Sequence, residues 1–237
     1  LASQGQRFKT RRDTYRQHSQ QAETLMRQRL EALSQEARPQ AAARLLRRIA
    51  AVWYALDELD ELRLAIDTFA ISPDAATQAF NQLTSGLLAI VFEAADSSID
   101  PDITRHLVAI FHLMQGKELA GQERACGAFG FTHGHFDEAH RALLNQLVTD
   151  QQRCFDTFVE FATPEAQQSW QKELSPRTLA GICHLRDIAC QRHSASHTPP
   201  KDTSDSLGET WYELTTLRID SMKTVEDALI TQLSVFC

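Results

Sequence analysis

Apolar residues recur at intervals of three and four along most of this chain, the spacing that lines one face of an α-helix. Residues up to about Glu36 are polar, with a thin apolar stripe at Leu25, Leu30 and Leu33. Pro39 then sits at a plausible helix start, and Leu45, Leu46, Ile49, Val52, Trp53, Leu56, Leu59, Leu62, Ile66 and Phe69 mark one wide apolar face. Ser72-Pro73 and Asp100-Pro101 each pair a capping side chain with Pro at the first helical position. The helices they open carry Phe80, Leu83, Leu87, Leu88 and Val91, and then Leu107, Ile110, Phe111 and Leu113. His133-Gly134-His135 interrupts the second of these. A long helix follows with Leu143, Leu144, Leu147, Phe155 and Phe158, and Thr163-Pro164 and Ser175-Pro176 start two more. The polar stretch 193–207, rich in Ser, Thr and Pro, reads as a flexible loop. A last amphipathic helix is expected from about Gly208 to the end, with Trp211, Leu214, Met222, Val225 and Leu229. No stretch alternates apolar and polar positions as a half-buried strand would. The fold class is therefore all-α. Seven to eight long helices with short connections favour two stacked antiparallel four-helix bundles that share long helices.

Composition narrows the function more than the fold. No apolar run approaches the roughly 20 residues needed to span a bilayer, and the first thirty residues, rich in Gln, Arg and Glu, are not a secretory signal. A net charge of −7 and a pI near 5.7 argue against a basic nucleic-acid-binding face on the chain as a whole. The five Cys are odd in number and none has CxxC spacing, which speaks against a disulfide framework or a structural zinc site. A soluble, cytoplasmic protein with no membrane partner is expected.

Three arginines stand out. Arg124 lies in Lys117–Gly130, where Ala120, Gly121, Gly127 and Gly130 recur inside a helical pattern. Each helical Gly costs about 0.5–1 kcal/mol relative to Ala, so such a run is expected where a neighbouring backbone comes close or a pocket is left open. Arg124 is then either a guanidinium aimed into a cavity or a structural Arg paired with a Glu. Arg186 and Arg218 sit between apolar neighbours, and a buried Arg needs a carboxylate or a bound anion as partner. The planar guanidinium fork suits flat oxyanions. The cluster His133, His135, Asp137, Glu138 and His140 has no pair of His at i, i+3 or i, i+4, and reads as a solvated helix start with no metal. No nucleophile elbow, P-loop, dinucleotide fingerprint or HExxH pattern occurs, so neither enzyme activity nor a cofactor is expected.

The stretch GKELAGQERACGAFGF, the later FVEFATPEAQQSWQKELSP and the helix carrying HLRDIAC together resemble the nitrate- and nitrite-sensing NIT domain family. The opening LASQGQRFKTRRDTYRQ and the closing ETWYELTTLRIDSMKTVEDALITQL are similar to that family as well, so the resemblance covers nearly all of residues 1–237 as a single sensor domain. It implies two stacked helical bundles and a nitrate or nitrite site built from arginines on different helices. By motif, Arg124 and Arg186 are its expected ligands, with Arg218 third. It also implies an earlier helix with a Glu-Arg-Gly signature and a C-terminal effector domain, both outside these residues. In some members that effector is an RNA-binding ANTAR domain for transcription antitermination; in others it is a kinase, cyclase or chemoreceptor signalling domain. RNA would then be contacted only through such a domain. The alternative is a helical scaffold without a small ligand, whose amphipathic helices serve homodimerisation or partner binding.

Overall fold

The computed structural model describes residues 2–36, 43–190 and 201–236, all of the secondary structure among them helical. The chain divides into two compact units, residues 1–46 and 47–237. The first is chiefly helix α1 (Ala2–Glu36), a polar helix with side-chain pairs such as Arg27–Glu23 at 2.9 Å one turn apart.

The second unit contains most of α2 (Ala43–Asp57), then α3 (Leu59–Asp67), α4 (Pro73–Ser97), α5 (Pro101–His133), α6 (Glu138–Phe161), α7 (Pro164–Glu173), α8 (Pro176–Cys190) and α9 (Lys201–Phe236). Helices α2 and α3 carry the apolar face expected from Leu45 as far as Ile66, divided at Glu58, which accounts for one helix more than the sequence pattern suggests; Phe69, expected on that face, lies beyond α3 and is 92% exposed. The caps act where the sequence places them. The Ser72 hydroxyl accepts from the amide of Ala75, the Asp100 carboxylate from Asp102 and Ile103, and the Thr163 hydroxyl from Ala166. Gly134 closes α5 in the left-handed region (φ 72°), where Gly carries no Cβ penalty. The loop expected over 193–207 needs correction at one end. Residues 193–200 lie outside the described residues, but 201–207 form the first two turns of α9. Pro199-Pro200 stands just before that start, where Pro is favoured over a longer loop.

Helices α5, α6 and α9 run through two apolar clusters. One gathers Ala109, Ile110, Leu113 and Ala120 of α5, Phe155 and Phe158 of α6, Ala166 of α7, and Met222, Val225 and Leu229 of α9. The other gathers Cys126 and Phe131 of α5, Leu144 and Leu147 of α6, Ile182, Leu185 and Ala189 of α8, and Trp211 of α9. Helices α6 and α9 therefore both run antiparallel to α5. Trp170 of α7 packs on Phe155 and Phe158, while Cys190 at the end of α8 reaches Asn145 near the other end of α6. The segment α7–α8 thus returns antiparallel to α6, with α7 filling the fourth position beside one cluster and α8 beside the other. This is the stacked, shared-helix arrangement that the periodicity predicts. Helix α4 lies along α5, with Phe92 on Phe111 at 5.4 Å between ring centroids.

The glycines of α5 let aromatic rings sit against its backbone. A Cβ at Gly127 would stand 2.2 Å from the Trp211 indole, and one at Gly116 would stand 2.4 Å from the Phe155 ring. Trp211 is fully buried there, and its indole N–H donates to the Arg124 carbonyl at 3.0 Å. A buried indole with its one donor satisfied locks α9 against α5.

Candidate functional site

Between the two clusters lies a layer of polar side chains. On α5, Glu123 falls between Ala120 of one cluster and Cys126 of the other. On α6, Gln151 falls between Leu147 and Phe155. On α9, Arg218 falls between Trp211 and Met222. Glu123 is fully buried and Gln151 is 1% exposed. A buried carboxylate survives only if its lone pairs are met, and here they are. Arg186 of α8 donates from Nε to Oε1 at 2.7 Å and from Nη2 to Oε2 at 2.8 Å, the bidentate fork geometry. The Gln151 amide donates to Oε2 at 2.7 Å. Arg218 approaches Oε2 at 3.4 Å and donates to the Gln151 carbonyl oxygen at 2.9 Å. The layer thus ties all of α5, α6, α8 and α9 together.

The two arginines are not equivalent. Burial lowers the Arg186 pKa, but its hydrogen bonds to and charge attraction from Glu123 more than make this up, so it stands above its ordinary value. For Arg218 burial wins. Its side chain is 10% exposed, Glu123 compensates only in part, Arg186 repels it, and its pKa is pulled down to about 10. It remains cationic at neutral pH. It lies over the Phe155 ring at 5.6 Å, and its Nε is buried without a hydrogen-bond partner among the described residues. A partly compensated, half-satisfied buried guanidinium keeps capacity for a further acceptor.

Of the three arginines read from the sequence, the structure brings Arg186 and Arg218 together and turns Arg124 to other partners. Arg124 donates to the Thr216 hydroxyl at 3.0 Å and lies over the Tyr212 ring at 5.1 Å. Its neighbour Glu123 holds the place at the centre. Glu123 and Gln151 were missed by a search for arginines, yet each leaves a sequence signal: both are polar residues inside an apolar stripe, Ala120-x-x-Glu-x-x-Cys126 and Leu147-x-x-x-Gln-x-x-x-Phe155. In the cluster weighed as a metal site, Asp137 caps α6 and accepts from the backbone and ring of His140 at 2.8 Å, which holds its carboxyl below the usual carboxylate range. Cavities open elsewhere, among them one of about 390 Å³ between α4 and α5 and one of about 700 Å³ between α2, α3 and α4; none of the three arginines lines either of these.

The fold is thus an all-helical double bundle with a buried polar layer between its two apolar clusters. The chain matches the NIT family, described as nitrate and nitrite sensing, over residues 1–234, and it belongs to that family. It is 38% identical over 206 residues to the nitrate regulatory protein of Klebsiella oxytoca, a match covering 86% of this chain and 50% of that protein. It is also similar to the solved structure of the NasR transcription antiterminator, with a TM-score of 0.75, 35% identity, and coverage of 87% of this chain and 54% of that one. The chain therefore spans about half the length of these relatives. No described helix is long and apolar enough to cross a membrane.

Proposed function

We propose that this chain is the sensing part of a regulator that binds nitrate or nitrite in the polar layer, with Arg186 and Arg218 as the anion ligands. The observation that carries this reading is the sharing of one buried carboxylate by two guanidiniums, one of them with an unpartnered Nε. A flat monovalent oxyanion accepts two parallel N–H bonds from a guanidinium edge. It would relieve the Arg186–Arg218 repulsion and so stabilise the arrangement in which α8 and α9 are drawn onto α5. Arg124, on the same turn as Glu123 but bonded to Thr216 of α9, stands as the third candidate and acts on the same helix pair.

Because α9 carries Arg218, a shift in how it seats on α5 is the simplest route to an effector. A ligand moves such an equilibrium only by its differential affinity for the two arrangements, typically about 1–3 kcal/mol. That the relatives are about twice as long supports an effector in the remainder. By likeness to the NasR antiterminator we infer an ANTAR-type RNA-binding domain at the C-terminal side, acting in the cytoplasm. RNA would then be bound by that domain, with the chain described here serving as its nitrate-controlled switch and not as an enzyme.

The test is a thermal melt of the full-length protein with and without millimolar nitrate or nitrite, beside Arg186→Ala, Arg218→Ala and Arg124→Ala. Ligand at about 100 times its Kd adds roughly 2.7 kcal/mol to the folded state. A rise in melting temperature that disappears in Arg186→Ala and Arg218→Ala is expected. A folded parent with no response to either anion would leave the ligand-free helical scaffold as the better description.

A further inference from the structure

The polar layer carries an odd charge. Two guanidiniums face one carboxylate and one neutral amide, so one positive charge is left over. It belongs to Arg218, because Arg186 has both Nε and Nη2 on Glu123, while Arg218 reaches the carboxylate only at 3.4 Å and keeps a buried, unpartnered Nε. Glu123, with none of its side chain exposed to solvent, cannot turn away or be screened by water.

We propose that Glu123 is the residue that selects the charge class of the bound anion, admitting monovalent oxyanions and rejecting divalent ones. The inference rests on anion binding in this layer. One negative charge completes the layer to neutrality. A second, as on sulfate, would place an uncompensated negative charge in a shielded region beside the Glu123 carboxylate, and like charges so juxtaposed are strongly penalised. Guanidinium geometry by itself does not make this distinction, since the same fork binds carboxylate and phosphate equally well. Selectivity for one charge over two therefore falls to the internal carboxylate. With Glu123→Gln the layer holds two excess positive charges, and sulfate becomes an acceptable partner. With Gln151→Lys the added ammonium takes the place of the amide that donates to Glu123, and the layer likewise holds two excess positive charges.

The experiment is isothermal titration and thermal melting of full-length protein at pH 8, with sodium nitrate and sodium sulfate as probes and ionic strength held with sodium gluconate. The parent is expected to prefer nitrate by about a hundredfold or more, the factor that a few kcal/mol of like-charge repulsion amounts to. Glu123→Gln should reduce that preference by about tenfold or more, chiefly by gaining affinity for sulfate. A folded Glu123→Gln protein that keeps the parent's preference overturns the inference while leaving nitrate sensing intact. A folded parent that binds neither anion overturns the binding reading, and this inference with it. Should Glu123→Gln not fold, Gln151→Lys decides. Its ammonium donates to the Glu123 Oε2 that the Gln151 amide meets at 2.7 Å, and the preference for nitrate over sulfate should fall by about tenfold or more. An unchanged preference in that folded variant overturns the inference.

Discussion

Helices α5 and α9 are joined by acid–base contacts at two levels. At one, Glu226 of α9 lies between Lys117 of α5 and Lys223, and at the other Glu123 of α5 lies between Arg218 of α9 and Arg186. Both carboxylates are buried, and each serves two cations. The surroundings differ. Lys223 is half exposed and also pairs with the exposed Asp227, so its second charge is met by a second carboxylate and by water. Its pKa accordingly ends above the ordinary value, the attractions of Asp227 and Glu226 outweighing burial. Arg218 has no such outlet, and burial takes its pKa the other way. The flexible Lys223 at the rim carries its charge to solvent; Arg218, packed between two apolar clusters, cannot. The same formula is thus a balanced tie at one level and a charge imbalance at the other.

The largest expected effect follows from that imbalance. Glu123→Ala leaves two guanidiniums buried with only the Gln151 amide between them, and should destabilise by about 3–5 kcal/mol in denaturant unfolding. A loss under about 1 kcal/mol would mean that water reaches the layer and that the contrast with Glu226 is false. Next comes Gly127→Ala. Its Cβ would meet the Trp211 indole at 2.2 Å, so α9 must move away from α5 next to the layer. A loss of about 1–3 kcal/mol is expected, with a weakened near-ultraviolet signal from the buried indole. Glu226→Gln should cost about 1 kcal/mol, since Lys223 can turn to solvent. It should also leave the response to nitrate unchanged, and a lost response would show that both levels take part in sensing. The smallest effect has the opposite sign. Gly121, on the same helix as Gly127, has no atom within 4 Å of where its Cβ would stand. Gly121→Ala is expected to stabilise by about 0.5–1 kcal/mol, seen as a raised melting temperature.

These two glycines show how far the chain could be read unaided. Their clustering was legible as a sign of close approach or open space, and the structure contains both, Gly127 under an indole and Gly121 facing nothing. The string alone does not say which is which, because the indole arrives from a helix more than eighty residues away. The helix starts at Ser72, Asp100 and Thr163 were legible because a cap and its target amides lie within three residues of each other. The start of α9 at Lys201 was not. Its first turns are polar enough to resemble a loop, and nothing local distinguishes the two. Arg186 and Arg218 were legible as buried cations in need of partners. Arg124 was legible by its unusual neighbours and bonds Thr216 of α9, while Glu123, one position earlier and about 100° around the helix, meets Arg186 and Arg218.

What the sequence by itself determined is the all-helical architecture, the family, and the presence of arginines that had to be paired. The architecture follows from periodicities and caps that act over three or four residues, the family from the resemblance of its motifs, and the need for partners from the cost of burying a lone charge. The tertiary structure decided which partner each arginine has. Glu123 is 63 residues from Arg186 and 95 from Arg218. Whether they meet depends on the axial offset at which α5, α6, α8 and α9 pack, and Trp211 of α9 seated on Gly127 and Phe155 of α6 on Gly116 are close contacts that hold two of these helices on α5. Charge attraction is strong at 3 Å in a dry interior and weak at a distance in water, so the layer exists only once packing has brought its members together.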